Sequence, residues 1–316
     1  MANVGPMFES DGNPFCRVCG SATTARWKVG NLGRRLVADD LRITDSRYGM
    51  TLDLWRCASC GFIQADADEL SDLTVLYEQF QDPDYQRDRA ARTLQMRRLL
   101  VRGLEANPSA ETLLDIGAGT GLLVAHGSAR GLNAIGVEPS YALTETGRRI
   151  NNATLLQGTI PHPLLSARRF DLVFLVDVIE HVPQPVTFLK ECVRYLAPGG
   201  ILVVVTPDVS SLAAKVLGRK WWHFRLAHVG YFSPRSLRIA AQAAGLETVQ
   251  FLRARWFFPV SYLAERLAVY LPVGALNRLA PRFAPLNWLY QKIIPLNLHD
   301  SMLFLFKLGG GPNQHE

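Results

Sequence analysis

Three groups of residues in this chain have types and spacings that could do chemistry. The first is a pair of cysteine knuckles, Cys16-Arg17-Val18-Cys19-Gly20 and Cys57-Ala58-Ser59-Cys60-Gly61. Two residues between cysteines let both thiolates of a tight turn face one point, and the glycine lets backbone amides approach sulfur. Two knuckles together supply the tetrahedral four-thiolate shell that Zn²⁺ prefers, and such a closed shell is structural rather than catalytic. The fifth cysteine, Cys192, reads as a buried small apolar residue. The second group is the glycine-rich run Leu113-Leu114-Asp115-Ile116-Gly117-Ala118-Gly119-Thr120-Gly121. The third is Asp177-Val178-Ile179-Glu180-His181, with His228 further on.

The glycine run follows an apolar strand and precedes a helix, where backbone must approach a ligand without a Cβ in the way. Leu122 stands where a dinucleotide fingerprint has its third glycine. Asp115 would repel a pyrophosphate but suits a ligand bearing an ammonium and a sulfonium. Glu138, at the end of the next strand in Ile135-Gly136-Val137-Glu138-Pro139, can accept both hydroxyls of a ribose. In the third group, helical spacing of i, i+3 and i+4 would bring Asp177, Glu180 and His181 to one face. Two carboxylates and an imidazole suit either a divalent metal such as Mg²⁺ or Mn²⁺, or general-base work.

The elements that must hold these groups alternate strand and helix. Strands are expected at Thr112–Ile116, Ala134–Glu138, Thr154–Gln157, Phe170–Val176, Ile201–Thr206, Thr248–Ala254 and Met302–Lys307. That alternation predicts a mostly parallel sheet covered on both faces. The segment Tyr85–Leu104 reads as an amphipathic helix leading into this sheet, with Leu94, Leu99, Leu100 and Leu104 on its apolar side.

Residues 112–208 resemble class I S-adenosylmethionine-dependent methyltransferases, particularly those similar to the ubiquinone-biosynthesis O-methyltransferases. The stretches that carry the resemblance are LLDIGAGTG (113–121), IGVEPS (135–140), FDLVFLVDVIEHV (170–182) and LAPGG (196–200). HVGYFSPRSL (228–237) is similar to small-molecule members of the group. The resemblance implies an α/β, Rossmann-like seven-stranded sheet whose last strand runs antiparallel, here joined to a small zinc ribbon-like module. It implies S-adenosylmethionine held by Asp115, Gly117, Ala118, Gly119, Gly121, Glu138 and Asp177, with Gly158 and Thr159 at the adenine. In the ubiquinone enzymes the DVIEH stretch, with Glu first, holds Mg²⁺. The expected reaction is O- or C-methylation of a small molecule or sugar, with His181 or His228 as base beside Glu180 and Asp177.

Charge narrows the partners. Residues 1–85 carry a net −5 and the remainder a net +11, within a total of +6. An acidic zinc module is a poor grip for a phosphate backbone, which argues against the alternative of an RNA methyltransferase guided by zinc. The intact glycines and Glu138 argue against a non-catalytic interaction protein. The basic remainder favours an anionic small-molecule substrate, with Arg219, Lys220 and Arg225 as candidate contacts.

The organisation expected is a zinc module and linker over 1–84, a methyltransferase domain over 85–308, and a disordered tail over 309–316. Within the domain, 255–298 reads as a helical insertion or lid, with helix at Tyr262–Leu271 and a further turn at Leu276–Ala280. Its aromatic residues suggest either core packing or contact with a membrane surface. No stretch reaches the roughly 18 apolar residues of a membrane span. The N-terminus lacks a secretory signal pattern, so a cytoplasmic location is expected.

Overall fold

The computed structural model describes residues 13–42, 48–66, 70, 72–82, 86–270, 288 and 290–310. The chain begins with β1 (Thr24–Lys28), β2 (Leu54–Cys57), β3 (Ile63–Ala65) and α1 (Leu73–Gln79). The expected lead-in helix is α2 (Arg89–Ala106), which buries Leu99 and Leu100. Its Gly103 sits so close to the sheet that a Cβ there would lie 2.8 Å from the Phe174 ring. An alternating series follows: β4 (Thr112–Ile116), α3 (Leu122–Ser128), β5 (Asn133–Glu138), α4 (Tyr141–Asn151), β6 (Leu155–Gln157) and β7 (Phe170–Val176). Beyond it lie α5 (Pro185–Val193), β8 (Leu196–Pro207), α6 (Leu212–Leu217), β9 (Gly230–Tyr231), α7 (Pro234–Ala243) and β10 (Leu246–Arg253). The chain closes with β11 (Trp256–Pro259), α8 (Val260–Tyr270), β12 (Ile293–Leu296) and β13 (Ser301–Leu308).

Seven strands form the main sheet in the order β10-β13-β8-β7-β4-β5-β6. β4, β5, β6, β7 and β8 pair in parallel, while β13 runs antiparallel to both β8 and β10. This is the Rossmann-like sheet with an inverted last strand that the resemblance implies. Side chains alternate between its two faces. Leu114, Ile116, Val173, Leu175, Leu202, Val204, Phe304 and Phe306 pack on one side; Leu113, Leu172, Phe174, Val203, Val205, Leu303 and Leu305 pack on the other. A sheet buried on both faces explains why β7 reads as continuous apolar sequence rather than as an alternating one.

A second, four-stranded sheet has the order β1-β2-β3-β9, so its outer strand comes from residues far down the chain. Cys16, Val18, Cys57, Cys60 and Phe62 belong to the same apolar cluster as one face of the main sheet. The cysteine knuckles are therefore built into the body of the protein.

In the 255–298 segment, β11 and β12 pair antiparallel and α8 covers most of the helix expected there. The expected turn at Leu276–Ala280 lies outside the described residues, as does the tail beyond residue 310. No helix among the described residues is long and apolar enough to cross a membrane.

Candidate active site

The glycine loop leaves β4 with Gly117, Gly119 and Gly121 all at positive φ, which L side chains rarely adopt. Packing adds a second requirement. A Cβ at Gly117 would lie 2.5 Å from Val178, and one at Gly121 2.5 Å from Ala153. The amides of Gly117 and Ala118 donate to the Val137 carbonyl at 2.8 and 3.1 Å, which presses the loop against the end of β5. Glu138 accepts from the amide of Gly119 at 2.8 Å and from that of Ser140 at 2.9 Å. Ser140 caps α4 through Leu143 and donates from its hydroxyl to the Phe80 carbonyl at 2.8 Å, tying the N-terminal region to this corner.

Asp115 and Glu138 are both buried. Burial and the neighbouring Glu138 push Asp115 up to about 8. Burial pushes Glu138 up to about 7, against the pull of its two amide donors. Two enclosed carboxylates held reluctant to ionise gain from a neighbouring positive charge. The Gly158 amide donates to the Glu138 carbonyl at 3.0 Å, so the segment after β6 lies beside the same strand end. Thr159, next to it, is exposed.

The DVIEH stretch departs from the expected helix. Asp177 is left-handed at φ 53°, and Ile179–His181 forms a single 3-10 turn. The left-handed residue breaks the i, i+3, i+4 register, so the donor atoms that converge are those of Glu180, His181 and His228, all within 4.8 Å of one another. Asp177 sits at the end of β7, close enough for its charge to act on Glu180. Its amide donates to the Val205 carbonyl at 2.9 Å, and burial pushes its carboxyl up to about 7 against the pull of Arg92.

Glu180 is buried; its Oε2 accepts from Thr206 Oγ1 at 2.8 Å, while Oε1 has no hydrogen-bond partner. Burial and then Asp177 hold its carboxyl well above the usual range. His181 Nδ1 lies 2.8 Å from the Ala227 carbonyl and 2.7 Å from the Tyr77 hydroxyl. A carbonyl only accepts, so the proton is assigned to Nδ1 and the lone pair to Nε2. Burial pulls His181 down to about 4, which keeps the ring neutral. His228 meets it edge-on, with ring centroids 4.8 Å apart, and its Nδ1 has no partner. Burial, then His181, pulls His228 well below the ordinary histidine range. Tyr77 was not legible as a site residue: it lies in the plain helical run of α1, and only folding brings it to His181.

The four knuckle sulfurs lie within 4.8 Å of one another, with Cys16–Cys60 at 3.5 Å and Cys19–Cys57 at 3.6 Å. A tetrahedron of ~2.3 Å Zn–S bonds has edges of about 3.8 Å, so the sulfurs fit zinc. Cys16 is held down to about 5 mainly by its contact with Cys60, whose own thiol that contact pushes up. Cys192 is buried in the main core, as expected.

The aromatic stretch after β8 is largely packing. Trp221 and Phe224 are buried in the cluster that joins the small sheet to the rest, and Trp222 Nε1 donates to Asp300 at 3.0 Å. Arg219 and Lys220 are exposed, and Arg225 lies over the Tyr48 ring. A groove of about 520 Å³ runs between Arg87, Asp88 and Ala91 on one side and Pro259, Tyr262 and Tyr290 on the other. None of Asp115, Glu138, Glu180, His181 or His228 lines it, so it belongs to the 255–298 segment rather than to the carboxylate corner.

Geometry and sequence comparison agree on the class. Residues 85–251, just over half of the chain, match the family model described as a methyltransferase domain, and the chain belongs to that family. A ubiquinone biosynthesis O-methyltransferase of Bradyrhizobium diazoefficiens is 35% identical over 122 residues, 37% of this chain and 44% of that protein. Another protein so named, from Cereibacter sphaeroides, is 30% identical over 162 residues, 48% of this chain and 65% of that protein. The chain thus spans less than half the length of the first of these relatives. An S-adenosylmethionine-dependent methyltransferase of Archaeoglobus fulgidus superposes with a TM-score of 0.48 at 16% identity, over 71% of this chain and 99% of that one.

Proposed function

We propose that this protein is an S-adenosylmethionine-dependent methyltransferase acting on a small molecule or sugar, by O- or C-methylation. The observation that carries the reading is the pair of buried carboxylates, Asp115 raised to about 8 and Glu138 to about 7, flanking a bare-backbone glycine loop. A phosphate-free, positively charged nucleoside relieves both. When bound, it supplies a methyl group already activated on a sulfonium.

The chain's own residues then align the acceptor, exclude water and remove a proton. His181 is the base: neutral, with Nδ1 donating to the Ala227 carbonyl and Nε2 free to accept. His181 Nε2 would take the proton of an acceptor hydroxyl or carbon acid, while the bound nucleoside would supply the methyl group and leave as a neutral thioether. Glu180 and His228 enclose the imidazolium as it forms. One carboxylate and two imidazoles suit Mg²⁺ poorly, since that ion demands oxygen ligands. The cluster handles a proton rather than magnesium. The four cysteines hold a structural zinc.

The test is isothermal calorimetry with S-adenosylmethionine and its demethylated product, followed by tritiated-methyl transfer to nucleotide sugars, quinol precursors and total RNA. Saturable binding with transfer to a small molecule is expected, as is loss of transfer in His181→Ala by about 10²–10⁴-fold. Absence of binding at millimolar nucleoside sinks the reading. Full turnover by both His181→Ala and His228→Ala overturns the assignment of the base.

A further inference from the structure

The peptide that carries His228 into the cluster is held from both ends. On the cluster side, the Val229 amide donates to the Glu180 carbonyl at 2.9 Å. On the other side, the Val229 carbonyl accepts from the Ala65 amide at 2.9 Å and from Arg17 Nη2 at 3.2 Å. Arg17 lies inside the first cysteine knuckle, between Cys16 and Cys19. The same Nη2 also donates to the Ala65 carbonyl at 2.9 Å. Its backbone amide donates to Gln64 Oε1 at 2.9 Å, and Gln64 Nε2 donates in turn to the Phe15 carbonyl at 2.8 Å. Gln64 is buried and pairs in the sheet with Gly230, the residue immediately after Val229.

A guanidinium taken out of water is costly unless its donors are used. The Arg17 Nε is enclosed without a partner, so the Nη2 bonds carry the group. A surface arginine contributing only charge would not be placed so. A single Nη2 nitrogen thus bonds the last carbonyl of β3 and the carbonyl just ahead of β9.

We infer that the first cysteine knuckle positions the proton-handling cluster: Arg17 clamps the Val229 peptide, and through it the ring of His228. Arg17 is a positioning residue. The inference rests on reading Glu180, His181 and His228 as that cluster. It also gives the zinc module a task besides stability, since the metal orders the turn from which Arg17 reaches.

The experiment is side-chain NMR of ¹³C,¹⁵N-histidine-labelled full-length protein at one fixed pH, with His228→Gln used to assign the His228 ring. In Arg17→Met the ring signals of His228 and of His181 should shift and broaden, while those of His126 and His162, outside the cluster, stay in place. Zinc content should hold at one ion per chain, and S-adenosylhomocysteine affinity should stay within about twofold, as expected for a distant site. Arg17→Lys should fall between the two. Unmoved His228 and His181 signals with zinc retained overturn the clamp. Where Arg17→Met fails to fold or loses zinc, Gln64→Met loosens the same bracket without stranding a buried charge, and unmoved signals there overturn it equally. Failure of wild-type protein to bind S-adenosylhomocysteine sinks the methyltransferase reading instead, and leaves the clamp to be judged on the ring signals.

Discussion

The carboxylate corner and the histidine cluster are assembled in opposite ways. The corner is local: Asp115, the glycine loop, Glu138 and Ser140 come from one strand–helix–strand unit, and each is within hydrogen-bonding or packing reach of its sequence neighbours. The cluster is non-local: Tyr77, the adjacent Glu180 and His181, Thr206 and His228 arrive from four segments, and the peptide at Val229 is braced by a cysteine knuckle near the N-terminus. The cofactor end can therefore survive damage that dismantles the chemical end. Holding a cofactor and carrying out chemistry should come apart in this protein.

The sharpest break is removal of zinc. Structural zinc contributes on the order of 10 kcal/mol to a small metal site, so stripping it with a strong chelator, or Cys57→Ser, should melt the small sheet. Far-UV circular dichroism should show the main sheet retained, and methyl transfer should vanish while cofactor affinity drops far less. Equal loss of both would erase the distinction between the two regions.

Gly117→Ala attacks the other side. A left-handed backbone and a Cβ 2.5 Å from Val178 combine strain with overlap. Together they are worth roughly 2–4 kcal/mol, or about 10²-fold in S-adenosylhomocysteine affinity by calorimetry.

Acidity offers a graded version. Asp115, at about 8, must ionise to hold the ligand's ammonium, and Glu138, at about 7, to accept both ribose hydroxyls, so affinity should rise with pH and level off above 8. Below pH 7 it should fall by about tenfold per unit, or more where both carboxylates count. The linked effect on the free protein has the opposite sign. Carboxyls raised above their unfolded values make the folded state hold extra protons, so stability declines as pH rises from about 4 towards 8. Melting temperatures taken with and without S-adenosylhomocysteine should diverge across that window. Parallel curves would mean that the carboxylates do not meet the ligand.

The smallest expected effect is that of Tyr77→Phe. The phenol fixes a ring that the Ala227 carbonyl also holds, so about tenfold in kcat with KM unchanged is the expected loss. An effect on KM alone would move Tyr77 from the histidine to the acceptor.

The same contrast explains what could be read before folding. Every strand of the main sheet was visible, the buried parallel ones as short apolar runs; β4 and β7 fall on the expected bounds. The glycine loop and both acidic strand ends were visible for the same local reason. The helix expected over Asp177 to His181 is a single 3-10 turn entered through a left-handed Asp177, which spacing cannot reveal. Tyr77 carried no signal, since a tyrosine in an ordinary helix is indistinguishable from core. The two-residue β9 was equally silent, and without it the dependence of the knuckles on the rest of the chain is invisible.

That short strand governs the order in which the protein can be made. Synthesis delivers both cysteine pairs and β3 long before Gly230 and Tyr231, so the nascent chain carries an uncapped row of amides and carbonyls beside its thiols. Early capture of the metal would keep the thiols from oxidising, but only the late arrival of the HVGYF stretch seals that row. Truncations ending ahead of residue 230 should therefore be sticky rather than merely inactive.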